Sequence, residues 1–441
     1  MTIEKTAATR CERRDRHNQT RRRFLATSGA VGAALTFPSV ATGAGDTRVY
    51  KVGLVGCGGR GTGAASQALN ADRNTIVYAL ADAFPEKIDK TLRSLVTKHG
   101  ERVDVPPSRQ FAGLEAYEKL LETDVDIVLL ATPPGFRPLH YKACVEAGKN
   151  VFVEKPVAVD APGVRSVLET TELAKKKGIH VLSGLCWRYE THMQDFIKRL
   201  QDGLIGEIVN VESTRYNVFT RSVPRREGWT DMEAQVRNWY YYTWLSGDFC
   251  AEQFVHELDK VSWLLDEYPT SVMASGGRIS RCGDGFGHIY DHFNGIFEYE
   301  SGRRYFAGTR QHASGSDSLF RDIVFGTKGE ADLMQYVARG GVEWMAKDAN
   351  GRKARRTDMH QLEHDALYQR MRAGEYVNNG QYMAKSSLMG IMMREAAYSG
   401  ERVTWDAMMA SEKKWGDPES IDWSTSTPDW ETPSPASYRF S

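Results

Sequence analysis

"VYKVGLVGCGGRG", Val49–Gly61, is the stretch on which the reading of this chain turns. An apolar run ends in glycines spaced Gly56-x-Gly58-x-x-Gly61, and a helix-forming pattern, "TGAASQALN", follows directly. Strand, glycine turn and helix in that order let a backbone approach a diphosphate. Gly56 permits the tight turn, Gly58 clears the approach, and Gly61 lets helix and strand pack closely. Glycine-rich turns are common, so the context has to carry the reading. The next apolar run, "NTIVYALADAF" (74–84), supplies it with Asp82, 21 residues after Gly61. A carboxylate there accepts hydrogen bonds from adenosine ribose hydroxyls and repels a ribose phosphate, which favours NAD over NADP.

Outward from this turn, apolar runs at "VDIVLLATPP" (125–134) and "KNVFVEKP" (149–156) alternate with helical stretches at "YEKLLE" (117–122) and "PLHYKACVEAG" (138–148). Alternating strands and helices predict a parallel sheet covered on both faces. Asp160 with Pro162 starts a helix that ends at Gly178, and "IHVLSGLCWRYE" (179–190) is read as the last strand of this half. Beyond about residue 190 the texture changes to Gly-punctuated strands such as "DHFNGIFEYESGRRYFAGTRQH", with one strong helix expected at 248–266 and a Met-rich core helix at 383–399. The fold class is therefore α/β: a Rossmann dinucleotide-binding domain (48–180), then an α/β domain with a large, mostly antiparallel open sheet (181–410). A leader (1–45) precedes them and an irregular Pro/Ser/Trp-rich tail (411–441) follows.

Composition is that of an ordinary globular chain, with 41% hydrophobic and 26% charged residues and no formal net charge. The leader holds eight Lys/Arg against three Asp/Glu, which leaves the body mildly acidic and without a basic footprint for nucleic acid. "TRRRFLATSGAVGAALTFPSVATGAG", from Thr20, resembles a twin-arginine export signal: Thr20-Arg21-Arg22-Arg23-Phe24-Leu25 fits its pattern, with Ala26 in place of the usual lysine. Its apolar stretch is too short and interrupted to anchor a membrane, and Ser39-Val40-Ala41 is the candidate cleavage site. The resemblance implies a periplasmic protein exported already folded. Outside Cys11 the cysteines (57, 144, 186, 250, 282) are scattered without a C-x-x-C pair, which predicts neither a disulfide framework nor a zinc site.

Ligands of an open parallel sheet bind beyond the carboxyl ends of its strands, which places Thr132, Pro133 and His140 of "ATPPGFRPLH" with the cofactor. The glycine turn, Asp82, "ATPP" and Glu154-Lys155-Pro156, in this order and spacing, resemble the Gfo/Idh/MocA oxidoreductases over about residues 48–410. The resemblance implies that Glu154 contacts the nicotinamide ribose and that Lys155 faces both nicotinamide and substrate. Gly59, Arg60, Trp187 and Arg188 are further expected cofactor contacts. An ammonium at Lys155 polarises a carbonyl or stabilises an alkoxide.

In the second half, "SGDFCAEQFVHELDKVSWLL" (246–265) sets Glu252, His256, Asp259 and Trp263 at i, i+4, i+7 and i+11, one stripe of a helix. A solvated polar stripe fits that spacing equally well. The family carries an acid four residues before a histidine followed by H-x-x-D; His256 and Asp259 match, while Glu252 stands where aspartate is usual. The resemblance thus adds His256, Glu252 and Asp259 to Lys155 as catalytic candidates, with His256 as base in oxidation and acid in reduction. "RNWYYYTW" (237–244) suits either sugar stacking or core packing, and "GHIYDHF" (287–293) and "TRQH" (309–312) hold groups suited to hydroxyls. His288/His292 and His360/His364 have i, i+4 spacing but neither an H-E-x-x-H arrangement nor a cysteine neighbour, so no metal is expected.

The expected activity is NAD-dependent oxidoreduction of a carbohydrate or polyol in a homo-oligomer. Two alternatives stay open: a glycosidase that oxidises its sugar transiently, and a non-catalytic sugar-binding protein. An exported protein has no dependable NAD pool to draw on, so the cofactor is expected to stay bound through turnover.

Overall fold

The computed structural model describes residues 48–427 and 431–440; the export signal and cleavage site expected at 20–41 lie outside the described residues. Six strands form a parallel sheet in the order β3-β2-β1-β4-β5-β6: β1 (Tyr50–Val55), β2 (Thr75–Asp82), β3 (Gln110–Ala112), β4 (Ile127–Leu130), β5 (Asn150–Val153) and β6 (Val181–Ser183). Val52, Leu54, Ile127 to Leu130 and Val151 to Val153 are fully buried because helices cover both faces. Those helices include α1 (Gly59–Ala71), α2 (Pro85–His99), α3 (Ala116–Leu121), α4 (Arg137–Glu146) and α5 (Ala161–Lys177). α5 begins and ends as its sequence predicts: the Asp160 side chain accepts from Gly163 N, and Gly178 closes the helix at φ 67°. Strand order reverses between β1 and β4, which opens a crevice at their carboxyl ends.

The expected strand at 179–190 ends at Ser183 and gives way to a 3₁₀ turn, Cys186–Tyr189. Gly184 sits at the change, where a Cβ would stand 2.7 Å from a Glu154 carboxylate oxygen. The chain then runs through α6 (Thr191–Gln201) into a nine-stranded sheet of order β14-β13-β12-β11-β7-β10-β9-β8-β15. Its strands are β7 (Ile208–Val218), β8 (Ser271–Gly277), β9 (His292–Glu298), β10 (Arg304–His312), β11 (Leu319–Gly326), β12 (Gly329–Asp332), β13 (Val337–Arg339), β14 (Trp344–Met345) and β15 (Val403–Thr404). Every pairing is antiparallel except β7 with β10. In β9 and β10 burial alternates residue by residue, and Met273, Ile296 and Phe306 stand exposed on the open face.

The remaining helices are α7 (Asp231–Arg237), α8 (Thr243–Ser246), α9 (Phe249–Glu252), α10 (Val255–Leu265), α11 (Met359–Ala373), α12 (Gly380–Ser399) and α13 (Trp405–Ala410). Leu388, Ile391 and Met392 of α12 are core residues, as expected. The single helix expected at 248–266 is instead two, α9 and α10, broken at Gln253-Phe254. In a continuous helix the carbonyls of residues 252 and 253 accept from amides four residues on. Here Lys155 Nζ takes the Glu252 carbonyl at 2.6 Å and Arg215 takes that of Gln253 at 3.1 Å, so the ladder opens. The described tail residues after 410 form neither helix nor strand, yet Trp415 is buried against Tyr438 and Trp423 packs on Phe84.

Candidate active site

A cavity of about 430 Å³ lies at the crevice between β1 and β4, and it gathers Gly56, Gly58, Asp82, Thr132, Pro133 and His140 along one wall. The turn that shapes it depends on two glycines. Gly56 has φ +102°, and a Cβ on Gly61 would fall 1.9 Å from the Gly56 carbonyl oxygen, so α1 sits directly on the turn. Gly58 by contrast has open space where its side chain would be. Asp82 is pinned rather than mobile: its carboxylate accepts from Cys57 N at 2.6 Å and Phe84 N at 2.9 Å. Burial raises its pKa against those two amides. His140 donates to or accepts from Thr132 Oγ1 at 3.1 Å and packs on Tyr117; burial, with Arg137 nearby, depresses its pKa to about 3, so it is a neutral imidazole.

The opposite wall comes from a part of the chain whose sequence gives no cofactor signal. Val223, Arg226, Trp229, Val236, Arg237 and Trp239 of the second domain line the same cavity. Arg237 lies 3.7 Å from the centre of the Phe84 ring and pairs with Glu86 and Glu233. Within "RNWYYYTW", Tyr240, Tyr241 and Trp244 are buried, as core packing expects, while Arg237 and Trp239 line the cavity beside the glycine turn.

At the end of β5, Glu154 is buried and ion-paired to Arg60. Burial works to raise its carboxyl, but Arg60, Arg137 and Lys155 together bring it below its ordinary value. The Arg60 guanidinium is wholly engaged, with Glu154, Gln67 at 2.8 Å and Glu363 at 3.1 Å, and Gly59 beside it opens α1. The Lys155–Pro156 bond is cis, and Lys155 Nζ reaches across the domains to the Glu252 carbonyl and, at 3.2 Å, its carboxylate. One helix turn on, His256 is partly buried with its Nδ1 unpartnered. Its pKa is pushed well below the ordinary value, first by burial and then by Lys155 and Arg215.

Lys155, Glu252 and His256 thus come together; Asp259, Arg188 and Trp187 are disposed differently. Asp259 is buried and gives its carboxylate to Arg188 in a two-pronged pair (2.9 Å each) and to Ser386 at 2.8 Å. Arg188 is further held over the Tyr382 ring at 4.0 Å. Trp187 is a core residue packed against Lys260 and Phe320; the lining of the cavity includes neither it nor Lys155, Glu252 or His256, which meet beside that lining rather than in it. The stripe written by the spacing is divided by the break after Glu252 and is not solvated.

Of the paired histidines, His288 is buried and its Nε2 accepts from Thr243 N at 3.1 Å. His364 stacks on Phe152 at 4.1 Å. His292 and His312 flank Asp291, and His360 lies beside Glu363 and, through the fold, beside Cys186. Cys57, Cys144, Cys186, Cys250 and Cys282 are free thiols. Among the described residues no helix is long and apolar enough to cross a membrane.

A Rossmann sheet, a glycine turn opening onto a cavity and a lysine–carboxylate–histidine group at the strand ends define an oxidoreductase-type dinucleotide site. Residues 50–185 match the family described as "Oxidoreductase family, NAD-binding Rossmann fold", and residues 193–332 match the "GFO/IDH/MocA C-terminal domain". The chain belongs to the Gfo/Idh/MocA oxidoreductase family. It is 27% identical over 280 residues to an inositol 2-dehydrogenase of Rhizobium meliloti, covering 63% of this chain and 74% of that one. It is also 27% identical over 224 residues to a glycosyl hydrolase family 109 protein of Bacteroides thetaiotaomicron, covering 49% of this chain and 45% of that relative, so less than half of the hydrolase is spanned. In fold it is similar to an aldose–aldose oxidoreductase of Caulobacter crescentus: TM-score 0.63 at 21% identity, covering 81% of this chain and all of that one.

Proposed function

We propose that this protein moves hydride between a nicotinamide cofactor and a hydroxyl or carbonyl of a sugar or polyol. The observation that carries the proposal is the meeting of Lys155, Glu252 and His256 beside the carboxyl ends of β4 and β5. Gly56, Gly58, Gly61, Asp82, Thr132, Pro133 and His140 would hold the dinucleotide, and the bound nicotinamide supplies a hydride acceptor. Lys155 holds the reacting oxygen and stabilises its negative charge; a neutral His256 takes the hydroxyl proton. Glu252 orients Lys155. Asp259 and Arg188 act by fixing α10 against the turn after β6. Asp82 supports NAD over NADP, since its pinned carboxylate offers a ribose phosphate only repulsion. The test is Lys155→Ala: dinucleotide binding should survive while hydride transfer is lost.

The wall formed by residues 223–239, latched by Arg237 on Phe84 and Glu86, supports a dinucleotide that stays bound through turnover. The twin-arginine pattern at Thr20–Leu25 supports export in the folded state to the periplasm. The exposed apolar residues Met273, Ile296 and Phe306 on the open sheet face support a homo-oligomer.

The hydrolase relative favours one second reading, a redox-neutral glycosidase in which the retained hydride returns to the same sugar. Aryl glycosides separate the two: only that mechanism releases aglycone without net reduced cofactor.

A further inference from the structure

Beyond the proposed reaction, the geometry points to a divalent metal site of the zinc type built from Cys186, His360 and Glu363. Each side chain offers one donor atom, and the three atoms lie within 4.8 Å of one another. They come from the 3₁₀ turn after β6 and from the first two turns of α11, so nothing in the spacing of the sequence shows them as a set. His360 and Glu363 are one helical turn apart and present their donors on the same face. Cys186 closes the triangle from the other side.

The donor chemistry suits a borderline-soft ion. A thiolate, an imidazole and a carboxylate are the ligand types zinc takes, and three protein ligands leave one position for an exchangeable fourth. A second, independent observation supports a missing ligand: Glu363 is fully buried, and its Oε2 has no hydrogen-bond partner, although its Oε1 serves both Arg60 and His360. Such an orphaned buried carboxylate oxygen costs free energy unless something binds it. The nearby Arg60 charge does not forbid a cation, because Arg60 is itself neutralised by Glu154 on its Nε edge. His360 is partly exposed and provides the way in. Binding releases the Cys186 thiol proton to solvent, leaving the thiolate on the metal.

The other mixed cluster, Asp291 with His292 and His312, differs in kind: its unpartnered buried atom is the imidazole Nε2 of His312, not a carboxylate oxygen. Arg310 donates to His312 Nδ1 at 3.3 Å, so the neutral ring presents its N–H edge, not a lone pair, toward Asp291. Three backbone amides already fill the other Asp291 oxygen.

The site is tested on the full chain after dialysis against chelator, by titration with Zn(II) followed by desalting and elemental analysis, and in parallel with Co(II). One equivalent of zinc should remain per chain, and Co(II) should give a thiolate charge-transfer band. Cys186→Ser should abolish that band, and His360→Gln, on a partly exposed position that threatens folding least, should weaken zinc retention at least tenfold. Asp291→Asn should change neither. No zinc retained by the wild-type chain, or retention untouched by both Cys186→Ser and His360→Gln, overturns the assignment.

Discussion

Replacing Gly58 by alanine separates what the glycine turn does for the fold from what it does for the ligand. The position has φ −78° and ψ −176°, which any residue adopts, and a Cβ there meets nothing within 4 Å. The substitution should leave thermal stability within about 0.5 kcal/mol of the parent, the usual scale for a change that touches no packing. The methyl group does enter the space over the turn where a diphosphate would approach. Losing one or two charge-assisted hydrogen bonds to the amides at the start of α1 costs about 2–3 kcal/mol, or roughly 30- to 150-fold in affinity. Gly61→Ala should do the reverse. Its Cβ would lie 1.9 Å from the Gly56 carbonyl, a backbone atom that cannot swing aside, so α1 must lift from β1. That overpacking should cost about 3 kcal/mol or more. Calorimetric or fluorescence titration with NAD, alongside thermal melts, reads both quantities. Gly58→Ala binding NAD with unchanged affinity would refute the placement of the diphosphate over this turn.

Lys155→Ala should lower turnover by about two orders of magnitude or more with little change in NAD affinity; near-normal kcat removes Lys155 from the chemistry. Arg237→Ala removes the latch over Phe84 and Glu86, and should speed release of bound dinucleotide about tenfold, the worth of a cation–π contact plus an exposed ion pair, measured by dialysis and mass spectrometry. Because burial holds His256 well below its ordinary pKa, the neutral base persists into acid. The acid limb of the kcat profile for oxidation should therefore fall below pH 6.5, and a limb above that value contradicts the assignment. His140 and His288 are both depressed to about 3 and stay neutral in the fold while the unfolded chain protonates near 6.5. Stability should accordingly be full above that pH and decline as pH falls toward 3, by up to about 1.4 kcal/mol per pH unit for each histidine.

The Rossmann half was legible because its determinants are local: apolar runs, glycines at fixed offsets and an acid at the end of β2. α11 is also bounded by local signals, an Asp358 cap accepting from Gln361 N and Gly374 at φ 69°. The break between α9 and α10 was not legible, since it is made by Lys155 and Arg215 from distant elements. The same holds for the second wall of the cavity: Trp229 and Arg237 come to line it only when the domains pack. Spacing put Asp259 in line with His256, but only the fold shows that Arg188 and Ser386 consume its carboxylate.

Hydride transfer between a nicotinamide held at the β1–α1 turn and a sugar or polyol held by Lys155 can be followed atom by atom. The measurement is a single turnover on carbon-deuterated sugars and polyols, quenched and examined by mass spectrometry of the recovered nicotinamide. Deuterium should appear in the nicotinamide of the wild-type protein with at least one substrate, and none with Lys155→Ala. Nicotinamide that is bound yet never acquires label from any member of a broad panel would contradict it.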